Sequence, residues 1–230
     1  FQLTAEVQNG SIPLDLRFTT SNSKVATVSA DGQITAKGVG TCTITAKTYN
    51  GKTATVAVTV GTAPTSVSVS PSKLTLGLNE SRKLTVALNS GAAGDYSFQF
   101  SNKSVASAAS DGTVKGLAPG TTKLTVKTYN GKTAECQITV LNAPGSITLS
   151  SPEKTIGVKQ VVQLTAALPS GTAGAIKYTS SNTKIATVDA SGKVTGVKAG
   201  SVTIIATTYN GKKASVTLQV KKAPSSVKLN

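Results

Sequence analysis

Apolar and polar residues alternate with a period of two along nearly the whole chain, in short runs separated by glycine-bearing turns. From Val67 onward, Val67 and Val69, then Leu76 and Leu78, then Leu84, Val86 and Leu88 fall on one face, with Ser, Thr, Lys and Gly between them. Phe98 and Phe100, Val105, Val114, Leu124 and Val126, and finally Cys136, Ile138 and Val140 supply the remaining inward positions. Successive strand side chains point to opposite faces, whereas a helix needs apolar residues three and four apart, so the pattern predicts about seven strands per repeat and almost no helix. One apolar and one polar face on each strand predicts two antiparallel sheets packed face to face, an immunoglobulin-like β-sandwich. Leu84, Val86, Phe98, Val105, Leu124, Val126 and Ile138 are the expected centre of one such core.

The pattern is written more than once. Tyr49-Asn50-Gly51-Lys52 recurs as Tyr129-Asn130-Gly131-Lys132 and Tyr209-Asn210-Gly211-Lys212, at a spacing of 80 residues. Ala63-Pro64, Ser21-Asn22 and Gly40 recur in the same phase, and only near the N-terminus, where Leu3 answers Leu84 and Leu164, does the register shift by one. A unit of this length exceeds the roughly 20 to 50 residues of solenoid repeats and suffices for a small all-β domain with its own core. The expected division is 1–62, a first repeat lacking its opening strands; 63–142 and 143–222, two whole repeats; and 223–230, the opening strand of a further repeat or a donor strand. Both ends are thus expected to cut through a domain.

Turns and linkers are equally readable. Asn-Gly at 50–51, 130–131 and 210–211 separates two alternating runs and predicts type I′ hairpins, in which both central residues take positive φ. Asp31-Gly32, Asp111-Gly112 and Ser191-Gly192 serve an earlier turn. The closing strands end near Val60, Val140 and Val220, and a few residues ending in Ala-Pro precede the next run. Proline fixes φ, and so short a tether predicts abutting domains in a stiff rod. Strands of nine residues rising about 3.3 Å each make a domain roughly 30 Å long, and three in series reach about 100 Å.

The segment SNSKVATVSADGQITAKGVGTCTITAKTYNGKTATVAVTV, with copies beginning at Ser101 and Ser181, resembles the bacterial Ig-like domain, group 2, found in intimin- and invasin-type adhesins, surface-layer and cell-wall proteins and some phage tail proteins. The likeness rests on the aromatic before the Ser-Asn pair (Phe18, Phe98, Tyr178, where the family often has Trp), the Val-Ala-Thr-Val run, the glycine turn and the closing Thr-rich hairpin. It implies a tandem all-β, non-enzymatic chain, extracellular or on a bacterial cell surface, with a virion as the alternative location. Its implied role is a structural and adhesive spacer that projects or assembles a surface structure.

Composition narrows the chemistry. The chain has no His, Trp or Met, and its 9 acidic residues are scattered. Histidine bases and histidine metal ligands are therefore excluded, the abundant Ser and Thr lack their usual activating base, and no glycine-rich loop precedes a helix. No metal, cofactor or catalytic residue is expected, and the acids show no repeated position from which an isopeptide cross-link would draw its carboxyl. Cys42 occupies the slot of Thr122 and Val202, and Cys136 that of Val56 and Val216, so both are expected to be free buried thiols. No apolar run approaches the length of about 18 residues that spans a membrane, and no membrane insertion of this segment is expected.

Lys and Arg number 24, for a net charge of +15. From Ala143 onward there are eleven lysines and two acids, Glu153 and Asp189, which places 11 − 2 = +9 in the last third. Such an excess suits either a solvated surface or attraction to an anionic glycan or cell-wall polymer. Nucleic acid fits less well, because the lysines are dispersed rather than interleaved with stacking aromatics. The candidate ligand face is Tyr49 with Lys52, Tyr129 with Lys132 and Tyr209 with Lys212, where a ring stacks on a sugar and a lysine meets its anionic group. The alternative is that each tyrosine braces its hairpin or packs on the adjoining domain. Neighbouring Ig-like domains of the same or another copy are the other expected partners. One such partnership is strand donation, with Val227 and Leu229 of one copy entering the open first domain of the next to build a filament.

Overall fold

The computed structural model describes residues 1–5, 16–222 and 226. Among them every regular element is a strand, and no helix is long and apolar enough to cross a membrane. The fold is all-β, in sandwiches of small, mainly antiparallel sheets whose alternate apolar residues face inward. Two compact units result: Phe1–Ser68 with Ala87–Ser97 and Lys127–Thr133, and Val69–Val86 with Phe98–Val126 and Ala134–Asn230.

In the first unit, Gly40–Lys47 lies between Arg17–Thr20 and Thr53–Val60, with Phe18 opposite Ala46 and Cys42 opposite Val58. The hairpin Ala26–Val28 with Ile34–Ala36 forms the other layer, and the Ile34 amide donates to the Phe1 carbonyl at 2.8 Å. Val25, Ala26, Ile34, Cys42 and Ile44 are its buried core, with Leu3, Phe18, Val28, Val58 and Val60 packed against them.

The second unit holds two fuller cores. Leu76, Val114, Leu124, Cys136, Ile138 and Val140 centre one, and Ile156, Val194, Ile204, Leu218 and Val220 the other. Five of the seven expected core residues, Leu84, Val105, Leu124, Val126 and Ile138, are buried, while Val86 and Phe98 are half-buried. Leu74, in phase with Leu76, joins the core as well, and Leu78 lies beyond the strand's end. Both cysteines are free and buried, and burial pushes the Cys136 thiol up.

The expectation of purely antiparallel sheets fails at one place in each full repeat. Lys73–Gly77 pairs in parallel with Thr133–Leu141, and Thr155–Gly157 in parallel with Lys213–Lys221. The third repeat shows why. Thr148–Ser150 first pairs antiparallel with Thr165–Ala167, then the chain crosses at Ser151-Pro152 to the other layer. It keeps its direction, so it meets the closing strand side by side rather than head to tail, Ile156 opposite Val220. The expected donor positions Val227 and Leu229 lie outside the described residues.

Candidate functional site

The recurrent Tyr-Asn-Gly-Lys tetrapeptide is built by the threonine before it. The Gly51 amide donates to the Thr48 carbonyl at 3.0 Å, the Thr48 amide to the Lys52 carbonyl at 2.9 Å, and the Lys52 amide to Thr48 Oγ1 at 3.0 Å. Thr48 Oγ1 donates to Asn50 Oδ1 at 2.6 Å, and Thr128 and Thr208 repeat that bond at 2.7 and 2.6 Å. Gly51, Gly131 and Gly211 have φ of 83°, 87° and 86°, whereas the described non-glycine residues with positive φ are Asn79 and Lys159. The turn therefore centres on Tyr-Asn with a left-handed glycine after it, a three-residue loop, and not on Asn-Gly as the type I′ reading had it. The threonine hydroxyl, which binds both the asparagine side chain and the lysine amide, shifts the turn by one residue.

That shift places the tyrosine at the turn itself. Asn130 Nδ2 donates to the Pro64 carbonyl at 2.7 Å and Asn210 Nδ2 to that of Pro144 at 2.9 Å, so each asparagine grips the linker that precedes its own repeat. The tyrosine amide continues the grip: Tyr129 N donates to the Asp95 carbonyl and Tyr209 N to the Ala175 carbonyl, both at 3.0 Å. Each ring lies over a glycine, Tyr129 over Gly94 and Tyr209 over Gly174, where a Cβ would overlap it.

The three tyrosines then differ. Tyr49 is 74% exposed and Tyr129 is 64% exposed. Tyr209 is half-buried, and its hydroxyl donates to the Leu78 carbonyl at 2.7 Å, 131 residues away in sequence. Burial first, and the Glu80 charge second, push its pKa up. Lys52, Lys132 and Lys212 are exposed, with backbone amides engaged by the threonines.

Sequence reasoning missed the residue beside Tyr209. Glu80 is 2% exposed, its Oε2 accepts from the Gly77 amide at 2.8 Å, and its Oε1 accepts from the Ala175 amide at 2.9 Å. Arg82 adds a charge 3.6 Å from Oε1. The turn Gly77–Glu80 aims this carboxylate: Asn79 sits at φ 68°, and the Glu80 amide returns to the Gly77 carbonyl at 3.0 Å. Asparagine tolerates that left-handed position because its short side chain crowds it little. The available signal was Gln160, an amide in the slot of Glu80 three residues past the matching glycine; its Oε1 accepts from the Gly157 amide at 2.7 Å.

Within this unit, then, Gly77 through Glu80 and Ala173 through Ala175 with Tyr209 make one closed joint. A carboxylate and a phenol fasten the two turns to each other there. The turn aspartates show the same structural use: Ser29 holds the Asp31 carboxyl below its usual range, the Thr113 amide does so for Asp111, and Ser191 for Asp189. No cluster of three metal-ligating side chains occurs among the described residues.

The sequence profile described as Bacterial Ig-like domain (group 2) matches residues 1–61, 63–138 and 145–226. An uncharacterized protein of Clostridium acetobutylicum is 37% identical over 89 residues, covering 37% of this chain and 9% of that protein. Among solved structures, domains 4–9 of the surface layer protein SbsC align with 96% of this chain and 40% of that one, at 19% identity and a TM-score of 0.33. The intimin of EHEC O157:H7 aligns over 35% of this chain and 47% of its own, at 30% identity and a TM-score of 0.29. The chain thus spans under a tenth of the curated relative and less than half of either structure.

Proposed function

Because the chain belongs to the bacterial Ig-like domain (group 2) family, we propose that it is a non-enzymatic structural and adhesive spacer at a bacterial cell surface. The family match supports a structural or adhesive surface role in the coarse sense, and the joint at Glu80 and Tyr209 supports the finer one. A spacer has to transmit its direction from one domain to the next, and a flexible linker of a few residues does not. Here the linker is held by Asn210 on Pro144 and by the Ala173 amide on the Asn142 carbonyl, 3.2 Å apart, while Glu80 and Tyr209 fasten a second line of contact. Repeats 63–142 and 143–222 are in this reading rigidly coupled members of an array. Small-angle scattering of the whole chain should give a maximum dimension of about 100 Å, the length of three strand-built domains in series. A much shorter, salt-dependent dimension would overturn the spacer.

A second reading, binding of an anionic glycan or cell-wall polymer, draws on a different observation. Lys177, Lys184, Lys193, Lys198, Lys212 and Lys213 are all exposed. If they act together, binding of a teichoic-acid-like polymer falls steeply as the screening length shrinks from about 10 Å at 0.1 M salt to about 3 Å at 1 M. Replacing Lys177, Lys184, Lys193 and Lys198 with glutamate in the whole chain should then abolish it. Binding that survives both salt and substitution would move the site to Tyr49 and Tyr129, whose rings are the more open.

A further inference from the structure

An asparagine followed by glycine is open to attack on its side chain by the next backbone nitrogen, because glycine has no Cβ to crowd the approach. That pair stands at 130–131 and 210–211, in a turn that also fastens a linker. Both asparagines and both glycines are exposed, and open space surrounds each glycine where a side chain would lie. Each carboxamide is held at both of its ends. Oδ1 accepts from the threonine hydroxyl of its own turn, at 2.7 Å from Thr128 and 2.6 Å from Thr208, while Nδ2 donates to the linker, at 2.7 Å to the Pro64 carbonyl and 2.9 Å to that of Pro144. The attacking nitrogen is held as well, since the Gly131 and Gly211 amides donate to the Thr128 and Thr208 carbonyls at 2.9 Å.

We propose that Asn130 and Asn210 are latent self-modification sites, primed by the threonine and guarded by the linker, whose conversion to aspartate or isoaspartate releases the linker. Water is the only co-reactant. The Gly211 nitrogen bonds to Asn210 Cγ, the Cγ–Nδ2 bond breaks, and the Nδ2 group leaves as ammonia with that bond's electron pair and the glycine amide proton. Water then opens the cyclic imide, at Cγ to give aspartate or at the asparagine's main-chain carbonyl to give isoaspartate. The Thr208 hydroxyl, already on Oδ1, stabilises the negative charge that develops there during the attack. Nδ2 is bound to Pro144 only while the linker is seated, and this bond, with the committed Gly211 amide, keeps the carboxamide from turning toward the nitrogen.

Re-seating the linker does not undo the conversion. In the aspartate product the threonine still finds Oδ1, so the turn survives, but the atom facing the Pro144 carbonyl is then an acceptor against an acceptor. In the isoaspartate product the main chain runs through the former side chain, and the bonds from the Gly211 and Lys212 amides back to Thr208 lose their register. Either product removes the asparagine's bond to the linker and leaves the Ala173 amide on the Asn142 carbonyl; at Asn130 the bond left is the Ala93 amide on the Thr62 carbonyl. The latch stands on these bonds alone and holds for a chain with any surface role.

The test is peptide mapping by mass spectrometry, with aspartate separated from isoaspartate, on the whole 230-residue chain aged in mildly alkaline buffer. Asn130 and Asn210 should convert at least about fivefold more slowly in the native chain than in urea, because the reaction waits on a local opening. Tyr209→Phe removes the hydroxyl's bond to the Leu78 carbonyl without altering the turn's own bonds. It should speed native conversion of Asn210 by about two- to tenfold, leave Asn130 at the parent rate, and change neither site in urea. Asn210→Asp should speed amide exchange at Ala173, and Asn130→Asp at Ala93, while the Lys212 and Lys132 amides keep their protection. Equal conversion in the native and unfolded chains would remove the guard. Tyr209→Phe without effect on Asn210, or speeding both sites alike, and unchanged exchange at Ala173 in Asn210→Asp would each overturn the proposal too.

Discussion

Glu80→Ala should destabilise the second unit by about 2–4 kcal/mol, because it removes two charge-assisted hydrogen bonds and leaves their donors short of partners. Glu80 is nearly inaccessible, and two amides converge on it, Gly77 from 3 residues before and Ala175 from 95 residues after it in sequence. Glu80→Gln should cost less. As at Gln160, its oxygen keeps the near amide of the turn, but its NH2 group then faces the Ala175 amide, donor against donor. Urea unfolding of the three proteins checks the ranking, and faster amide exchange at Ala175 in both variants locates the loss. Equal stability of Glu80→Ala and the parent would show that the carboxylate is not what closes the joint. The Tyr209 hydroxyl contributes with the opposite pH sense to a carboxylate. Its folded pKa is raised, so its contribution is complete below the ordinary tyrosine value of about 10 and is lost as pH climbs from there through the folded value.

The sandwiches were legible in the sequence because period-two alternation depends only on which residues seek the interior, and Leu124, Val126 and Ile138 have no competing claim. The crossing of the opening strand between layers was not, since Leu74 and Leu76 alternate identically whether their neighbour runs parallel or antiparallel. The hairpin was misplaced by one residue because Asn-Gly alone favours one turn and the threonine ahead of it, through a single hydroxyl, enforces another. Glu80 was hidden for a related reason: a lone acid in a polar turn reads as solvated until Ala175 and Tyr209 arrive from the next repeat to bury it. Tyr209 likewise carried two readings from sequence, and the side chain's partner lies 131 residues away.

Gly77 and Gly157 occupy the same slot in successive repeats, and alanine at the two should give opposite results. Neither has positive φ, so both backbones accept a side chain and only the surroundings decide. At Gly77 a Cβ would overlap the Ala173 carbonyl oxygen and lie 2.5 Å from the Tyr209 hydroxyl and 2.7 Å from its ring. Backbone on one side and a ring fixed by Gly174 on the other leave nothing to rotate away. Gly77→Ala should therefore force the joint apart, at a cost of about 1–3 kcal/mol for the overpacking, with loss of the bonds at Leu78 and Ala175 in addition. At Gly157 the nearest atom to a Cβ is Gln160 Oε1 at 3.4 Å, the movable end of a side chain. Gly157→Ala should be within about 0.5 kcal/mol of neutral or slightly stabilising, since alanine also narrows the unfolded ensemble. Thermal unfolding separates the two variants, and small-angle scattering adds the functional consequence. The Gly77→Ala chain should sample a broader range of dimensions than the parent, and the Gly157→Ala chain should not. Indistinguishable variants would mean that the approach of Gly77 to Tyr209 is not what sets the direction from one repeat to the next.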